Sequence, residues 1–143
     1  MRYALENIKV IELGGYIVGS FCATLLADMG ANVIKVESPS GDGLRPQLGG
    51  FQGYNRGKRG IIVDSRQPEG KTILRKLAAG ADVLVQNLRF GVAAQMGLDY
   101  DTVKNYNPRI IYLEMPGYGQ NGPYINKPAF DPLLQAMSGA MAA

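Results

Sequence analysis

The chain has 143 residues, 46% of them hydrophobic and 19% charged, with a formal net charge of +3. This length and balance suit one folded domain with its own core and exclude a disordered segment. There is no histidine and a single cysteine, Cys22. Ser-His-Asp and Cys-His centres, histidine-based zinc sites and an internal disulfide are therefore excluded within these residues. No apolar run approaches the roughly 20 residues of a membrane-spanning helix, and MRYALENIKV has no signal-peptide core, so a cytoplasmic protein without a membrane partner is expected.

The first element in chain order is an apolar β-run, Ile8 to Leu13, which feeds directly into Gly14-Gly15. Val18, Cys22, Leu25, Leu26 and Met29 then recur at the spacing of one helix face. Cys22 on that face reads as core packing rather than chemistry. Gly30 stands where a helix-terminating glycine belongs. A second strand, Val33 to Val36, ends on Glu37. Together these form a βαβ unit with a glycine turn at its mouth.

A dinucleotide-binding Rossmann unit would need G-x-G-x-x-G in that turn and an acid about 20 positions on. Gly14, Gly19 and Glu37 satisfy the outer requirements. Tyr16 replaces the middle glycine, where a pyrophosphate must approach bare backbone. An NAD-dependent oxidoreductase is thereby disfavoured.

A long polar stretch, Pro39 to Gly57, reads as a loop. Gly60 to Asp64 is the third strand. Pro68 suits a first helical position, and the helix runs through Ile73, Leu74 and Leu77 to Ala79, where Gly80 ends it. Asp82 to Asn87 is the fourth strand. Val92 to Met96 reads as helical, and another helix opens after Asp99 and stops before Pro108. Arg109 to Met115 is the fifth strand. Gly117, Gly119 and Gly122-Pro123 mark a turn, and Pro132 to Ala143 reads as an apolar helix that stops mid-run. Such a helix needs burial, so the sequence is expected to be the N-terminal portion of a longer protein.

Strands alternating with helices, without a hairpin signal, give an α/β fold: a Rossmann-like parallel sheet with helices on both faces. Ligands in such folds sit beyond the carboxyl ends of the strands. The segments there are Gly14 to Val18, Ser38 onward, Asp64-Ser65-Arg66, Asn87-Leu88-Arg89 and Pro116 to Gly122. The span Arg56 to Lys76 carries a net charge of +5. A stretch of this kind suits a small anionic ligand better than nucleic acid. Lys71, Arg75 and Lys76 read as a solvated helix face, leaving Arg56, Lys58, Arg59 and Arg66 as phosphate candidates.

Six phrases then converge in order: ADMGANVIKVE from Ala27, NRGKRGIIVD from Asn55, ADVLVQN from Ala81, MGLDYDTV from Met96, NPRIIYLEMPGYGQNGPY from Asn107 and FDPLLQAMSG from Phe130. Together they resemble the class III CoA-transferase family (the formyl-CoA and carnitine CoA-transferase type), with alpha-methylacyl-CoA racemase as a relative. The resemblance covers essentially the whole chain. It implies that residues 1–143 are an N-terminal CoA-binding α/β segment of the large domain of an interlaced homodimer. It also implies a coenzyme A or acyl-CoA substrate and a carboxylic acid partner.

CoA contacts carried over from the family fall on Ile17 and Val18, on Val63, Asp64, Ser65 and Arg66, and on Asn87, Leu88 and Arg89, with Lys127 as a further basic contact. Two family arginines are absent, being Ser38 and Gln95 here. The histidine that precedes the FDP aspartate in the racemases is Phe130, which disfavours racemase chemistry. The family's aspartate nucleophile matches no residue of this chain, so no catalytic residue is assigned. A noncatalytic acyl-CoA-binding subunit is the remaining alternative.

Overall fold

The computed structural model describes residues 3–142. Five parallel strands, β1 (Lys9–Leu13), β2 (Asn32–Glu37), β3 (Arg59–Ile62), β4 (Val83–Gln86) and β5 (Ile111–Glu114), form one sheet in the order β3-β2-β1-β4-β5. The helices are α1 (Val18–Asp28), α2 (Leu48–Asn55), α3 (Pro68–Ala79), α4 (Val92–Met96), α5 (Tyr100–Lys104) and α6 (Asp131–Ser138). A 3₁₀ turn at Ala140–Ala142 follows. The α/β architecture read from the sequence is the one observed, with strand ends displaced by a residue or two: β2 is longer than read, β1, β4 and β5 are shorter, and β3 starts and stops earlier.

The three central strands are covered on both sides, so they read as near-continuous apolar runs. Alternation along β1 divides the core. Ile11 and Leu13 pack with Leu84, with Leu74 and Ala78 of α3, and with Leu98 and Val103. Val10 faces the other way, toward Val33, Val85 and Ala23 of α1.

Helix α1 corrects the sequence reading of its faces. Its buried residues are Gly19, Ser20, Ala23 and Thr24. Val18, Phe21, Leu25 and Met29 are exposed. At 3.6 residues per turn those two sets lie on opposite sides of the helix. Cys22 and Leu26 sit between them, half-buried against the core. Small side chains let α1 lie close to the sheet, and the apolar stripe points outward.

The second correction is α2, inside the stretch read as a loop. LGGFQGYN is poor helix material, with three glycines. Docking onto α1 holds it: Tyr54 meets Phe21 edge to face at 6.1 Å, and Thr24 Oγ1 donates to the Tyr54 carbonyl. The terminal helix ends at Ser138 rather than running on through the chain, and none of its residues is buried. Ala143, included in that expectation, lies outside the described residues.

Candidate functional site

β1 pairs with β2 on one side and β4 on the other, so the strand order reverses at β1. This is the switch point at which α/β sheets open a crevice. A cleft of about 930 Å³ occupies it. Leu13, Val36, Val63 and Asn87, all at carboxyl ends of strands, line its floor. One wall is the turn Gly14–Val18 with Gly41–Gly43. The other is the segment after β5, including Tyr118 and residues 125–132.

The Gly14–Val18 turn is gripped from two directions. Gly14 adopts φ +120°, and a Cβ there would collide with Asn87 Oδ1. Asn87 Nδ2 donates to the Gly15 carbonyl at 2.9 Å. Its Oδ1 is buried without a hydrogen-bond partner. From the other side, Tyr16 N donates to Asp42 Oδ1 at 3.3 Å. Tyr16 has φ +60°, a left-handed conformation that few non-glycine residues adopt. Its ring lies against Gly43, where a Cβ would come within 2.7 Å of Tyr16 Cζ. No side chain caps the α1 N-terminus at this turn.

Asp42 is fixed by a buried ionic chain. Lys35 Nζ lies 2.8 Å from Asp42 Oδ2 and 2.6 Å from Glu12 Oε1. Lys58 Nζ lies 2.6 Å from Glu12 Oε2. Two carboxylates and two ammonium groups thus balance in a region where an unpaired charge would be costly. Burial pushes the Asp42 carboxyl up, but the Leu44 N–H and the Lys35 ammonium outweigh it and hold it below its ordinary value. Glu37 accepts a bidentate pair from Arg45, 2.6 Å on each side. That contact, opposed by desolvation and aided by the Asp42 N–H, holds its carboxyl low. Glu37 is consequently engaged within the fold, although it lines the cleft.

Eight of the ten expected contact residues line the cleft: Ile17, Val18, Val63, Ser65, Asn87, Leu88, Arg89 and Lys127. Ile17 and Val18 stand exposed on the turn. Lys127 Nζ rests 4.0 Å from the Tyr124 ring centroid. Arg89 is exposed and makes no ion pair among the described residues.

Asp64 and Arg66 stand apart from the lining. Arg66 closes onto Asp64 through two hydrogen bonds of 2.8 Å. That contact draws the Asp64 carboxyl down to about 2.

The other basic residues proposed for phosphate are committed elsewhere. The Lys58 side chain is 2% exposed and bonds Glu12, the Ser20 and Tyr54 carbonyls and Asn55 Oδ1. Arg56 pairs with Asp28, and Arg59 donates to Asn32 Oδ1 at 2.7 Å. The Lys58 ammonium is therefore a structural cation, buried among these partners rather than open to solvent.

Of the departures from the family pattern, Ser38 and Phe130 line the cleft and Gln95 does not. Sequence reasoning missed Asp42 and Tyr118. The signal for Asp42 was present in Gly41-Asp42-Gly43, an acid between two glycines within a long loop. Tyr118 lay within the strand-end segment Pro116 to Gly122 without being singled out there; it pairs with Tyr124 at 5.7 Å between ring centroids. Among the described residues, no group of three or more Cys, Asp and Glu is placed to hold a metal ion.

The family model described as CoA-transferase family III matches residues 5–143. A succinate–glutarate CoA-transferase of Agrobacterium fabrum is 39% identical over 96% of this chain and 38% of its own length. The alpha-methylacyl-CoA racemase of Homo sapiens is 37% identical over 97% of this chain and 35% of its own. A crystal structure of a CAIB/BAIF family protein from Brucella suis superposes with a TM-score of 0.93 at 38% identity, covering 99% of this chain and 40% of that one. The chain thus spans well under half the length of the relatives it matches.

Proposed function

The chain belongs to CoA-transferase family III, and from that premise we propose that it holds the CoA moiety of an acyl-CoA for transfer of CoA to a carboxylic acid. The supporting observation is convergence: eight residues drawn from the ends of β1, β3 and β4 and from the segment before α6 line one cleft. A CoA ester is an elongated anion with polar arms. The turn offers main-chain groups at Ile17 and Val18, and the uncapped start of α1 favours negative charge. Arg89 and Lys127 are the cleft-lining basic side chains that meet phosphate in this reading. Arg66 would have to exchange Asp64 for a phosphate.

In this reading the reacting groups are completed by sequence outside residues 1–143, in a full-length homodimer. A carboxylate nucleophile there attacks the thioester carbonyl, giving an anhydride and free CoA thiolate. The thiolate returns to the enzyme carboxyl, which becomes an aspartyl-CoA thioester as the first acid leaves. Attack by the acceptor carboxylate repeats the exchange in reverse. Proton abstraction of the racemase kind is disfavoured by Phe130 at the position of the family's histidine.

The test is calorimetric titration of the chain with CoA and with NAD. CoA binding is expected, and Arg89→Ala should weaken it by about 1.5–3 kcal/mol, the range for a hydrogen bond to a charged group. Binding of NAD without CoA would overturn the reading. An Arg89→Ala affinity equal to the unmodified protein's would remove Arg89 from the phosphate site.

A further inference from the structure

Tyr16, which lines the cleft on the Gly14–Val18 turn, does not set its own conformation. Tyr16 sits at φ +60°, and it has no β-turn glycine freedom to keep it there. Three contacts impose it. Its N–H is held by Asp42 Oδ1 at 3.3 Å. Its ring is flanked by Gly43. The preceding Gly15 packs on the same carboxylate, where a Cβ would stand 3.2 Å from Asp42 Oδ2. Asp42 is in turn one end of the chain through Lys35 and Glu12 to Lys58. Its second hydrogen bond, from Leu44 N at 2.8 Å, fixes the carboxylate to its own loop.

We propose that Asp42 is a positioning residue for ligand binding. Its carboxylate, anchored by buried Lys35, holds Tyr16 in the left-handed conformation and so presents the Ile17–Val18 backbone to the cleft. This role rests on the acyl-CoA reading above. It is distinct from contact with the ligand, because Asp42 acts through Tyr16. Repulsion between a carboxylate and an anionic ligand is muted by the Lys35 ammonium 2.8 Å away.

A double-substitution cycle tests it. Asp42→Asn keeps the size of the side chain and removes the charge that Lys35 anchors. It should weaken CoA binding at least about tenfold, the scale of a small misplacement of a positioning group. Tyr16→Gly lets the turn reach positive φ unaided. In that background the same Asp42 substitution should weaken binding by less than about threefold. Equal losses in both backgrounds would mean that Asp42 acts on the ligand or on the fold at large, and would overturn the proposal. No loss in either background overturns it as well.

Amide hydrogen exchange supplies a readout independent of CoA and of the variants' folding. In the unmodified chain the Tyr16 amide should be protected. Exchange of that amide at the rate of an unstructured peptide overturns the proposal even if Asp42→Asn fails to fold. If the chain does not bind CoA, the acyl-CoA reading falls by itself. Selective loss of Tyr16 protection in Asp42→Asn then still decides whether Asp42 sets the turn.

Discussion

Where α3 and α5 cover the sheet the contact is an aliphatic layer: Leu13 and Leu84 of the strands, Leu74 of α3, Val103 of α5 and Leu98 just before it are all buried. Beneath α1 the same strands carry Glu12 and Lys35, and the helix answers with Gly19, Ser20, Ala23 and Thr24. The first face is held by removal of apolar surface from water, which is strong but indifferent to direction. The second has its own apolar cluster around Val10, Val33 and Val85 and adds directed contacts to it: Ser20 Oγ to Glu12 at 2.8 Å, Lys35 to Ser20 at 3.0 Å, Lys58 to the Ser20 carbonyl at 2.7 Å. Directed contacts fix the start of α1 relative to β1, and that junction is the cleft turn. Both faces of the sheet bury apolar side chains, and the α1 face adds placement.

The sharpest way to break this contrast is Glu12→Gln. It leaves Lys35 and Lys58 buried with one carboxylate charge fewer between them. Breaking a buried pair this way costs about 3–5 kcal/mol, readable as a lower urea midpoint. A loss under about 1 kcal/mol, the scale of an exposed pair, would show that water reaches the ionic layer.

Next in size is a matched pair of leucines. Leu74→Ala removes a side chain that is 1% exposed and should cost about 3 kcal/mol. Leu25→Ala, on the outward stripe of α1 at 45% exposure, should change stability by no more than about 0.5 kcal/mol. Similar losses for both would mean that the stripe is covered in solution.

The smallest effect is a slope. Glu37's carboxyl is held below its ordinary value of 4.5, first by the Arg45 contact. A depressed carboxylate contributes stability that is fully present above its unfolded value and is lost as pH falls through the folded one. Unfolding midpoints should therefore drop below about pH 4.5 more steeply in the unmodified chain than in Arg45→Gln. Equal acid slopes would show that Arg45 leaves Glu37 unperturbed.

The strands were legible because a parallel strand covered on both faces is written as a near-continuous apolar run: VIEL before Gly14, NVIKVE before Ser38, VLVQ before Asn87. Even there, Glu12 and Lys35 were hidden in plain view. A charge inside such a run marks a buried pair, but the partner is set by register, and β1–β2 pairing places Glu12 opposite Lys35. Helix α2 was illegible because its glycines argue against it locally, and only its docking onto Phe21 and Thr24 argues for it. The faces of α1 were inverted because spacing shows which residues share a face, not which way that face turns.

For the site, the strand-end rule found the segments and the resemblance supplied residues within them. Whether a basic side chain reaches the cleft depended on its neighbours. Arg66 lies two residues from Asp64 and folds back on it, whereas Arg89 has no acid beside it.

The reversal of strand order at β1 also bears on how the molecule assembles. β1 and β2 pair after a short local connection, while β1 and β4 pair across some seventy intervening residues, as the Lys9 N–Asp82 contact at a separation of 73 shows. Ile17 and Asp42 belong to the local half and Asn87, Arg89 and Lys127 to the distant one. Closing the long loop costs chain entropy before any contact repays it. The cleft is thus a seam between an early and a late part of the sequence, joined where Asn87 meets the Gly15 carbonyl. In the acyl-CoA reading, both sides of the cleft must be in place together before a ligand can be held.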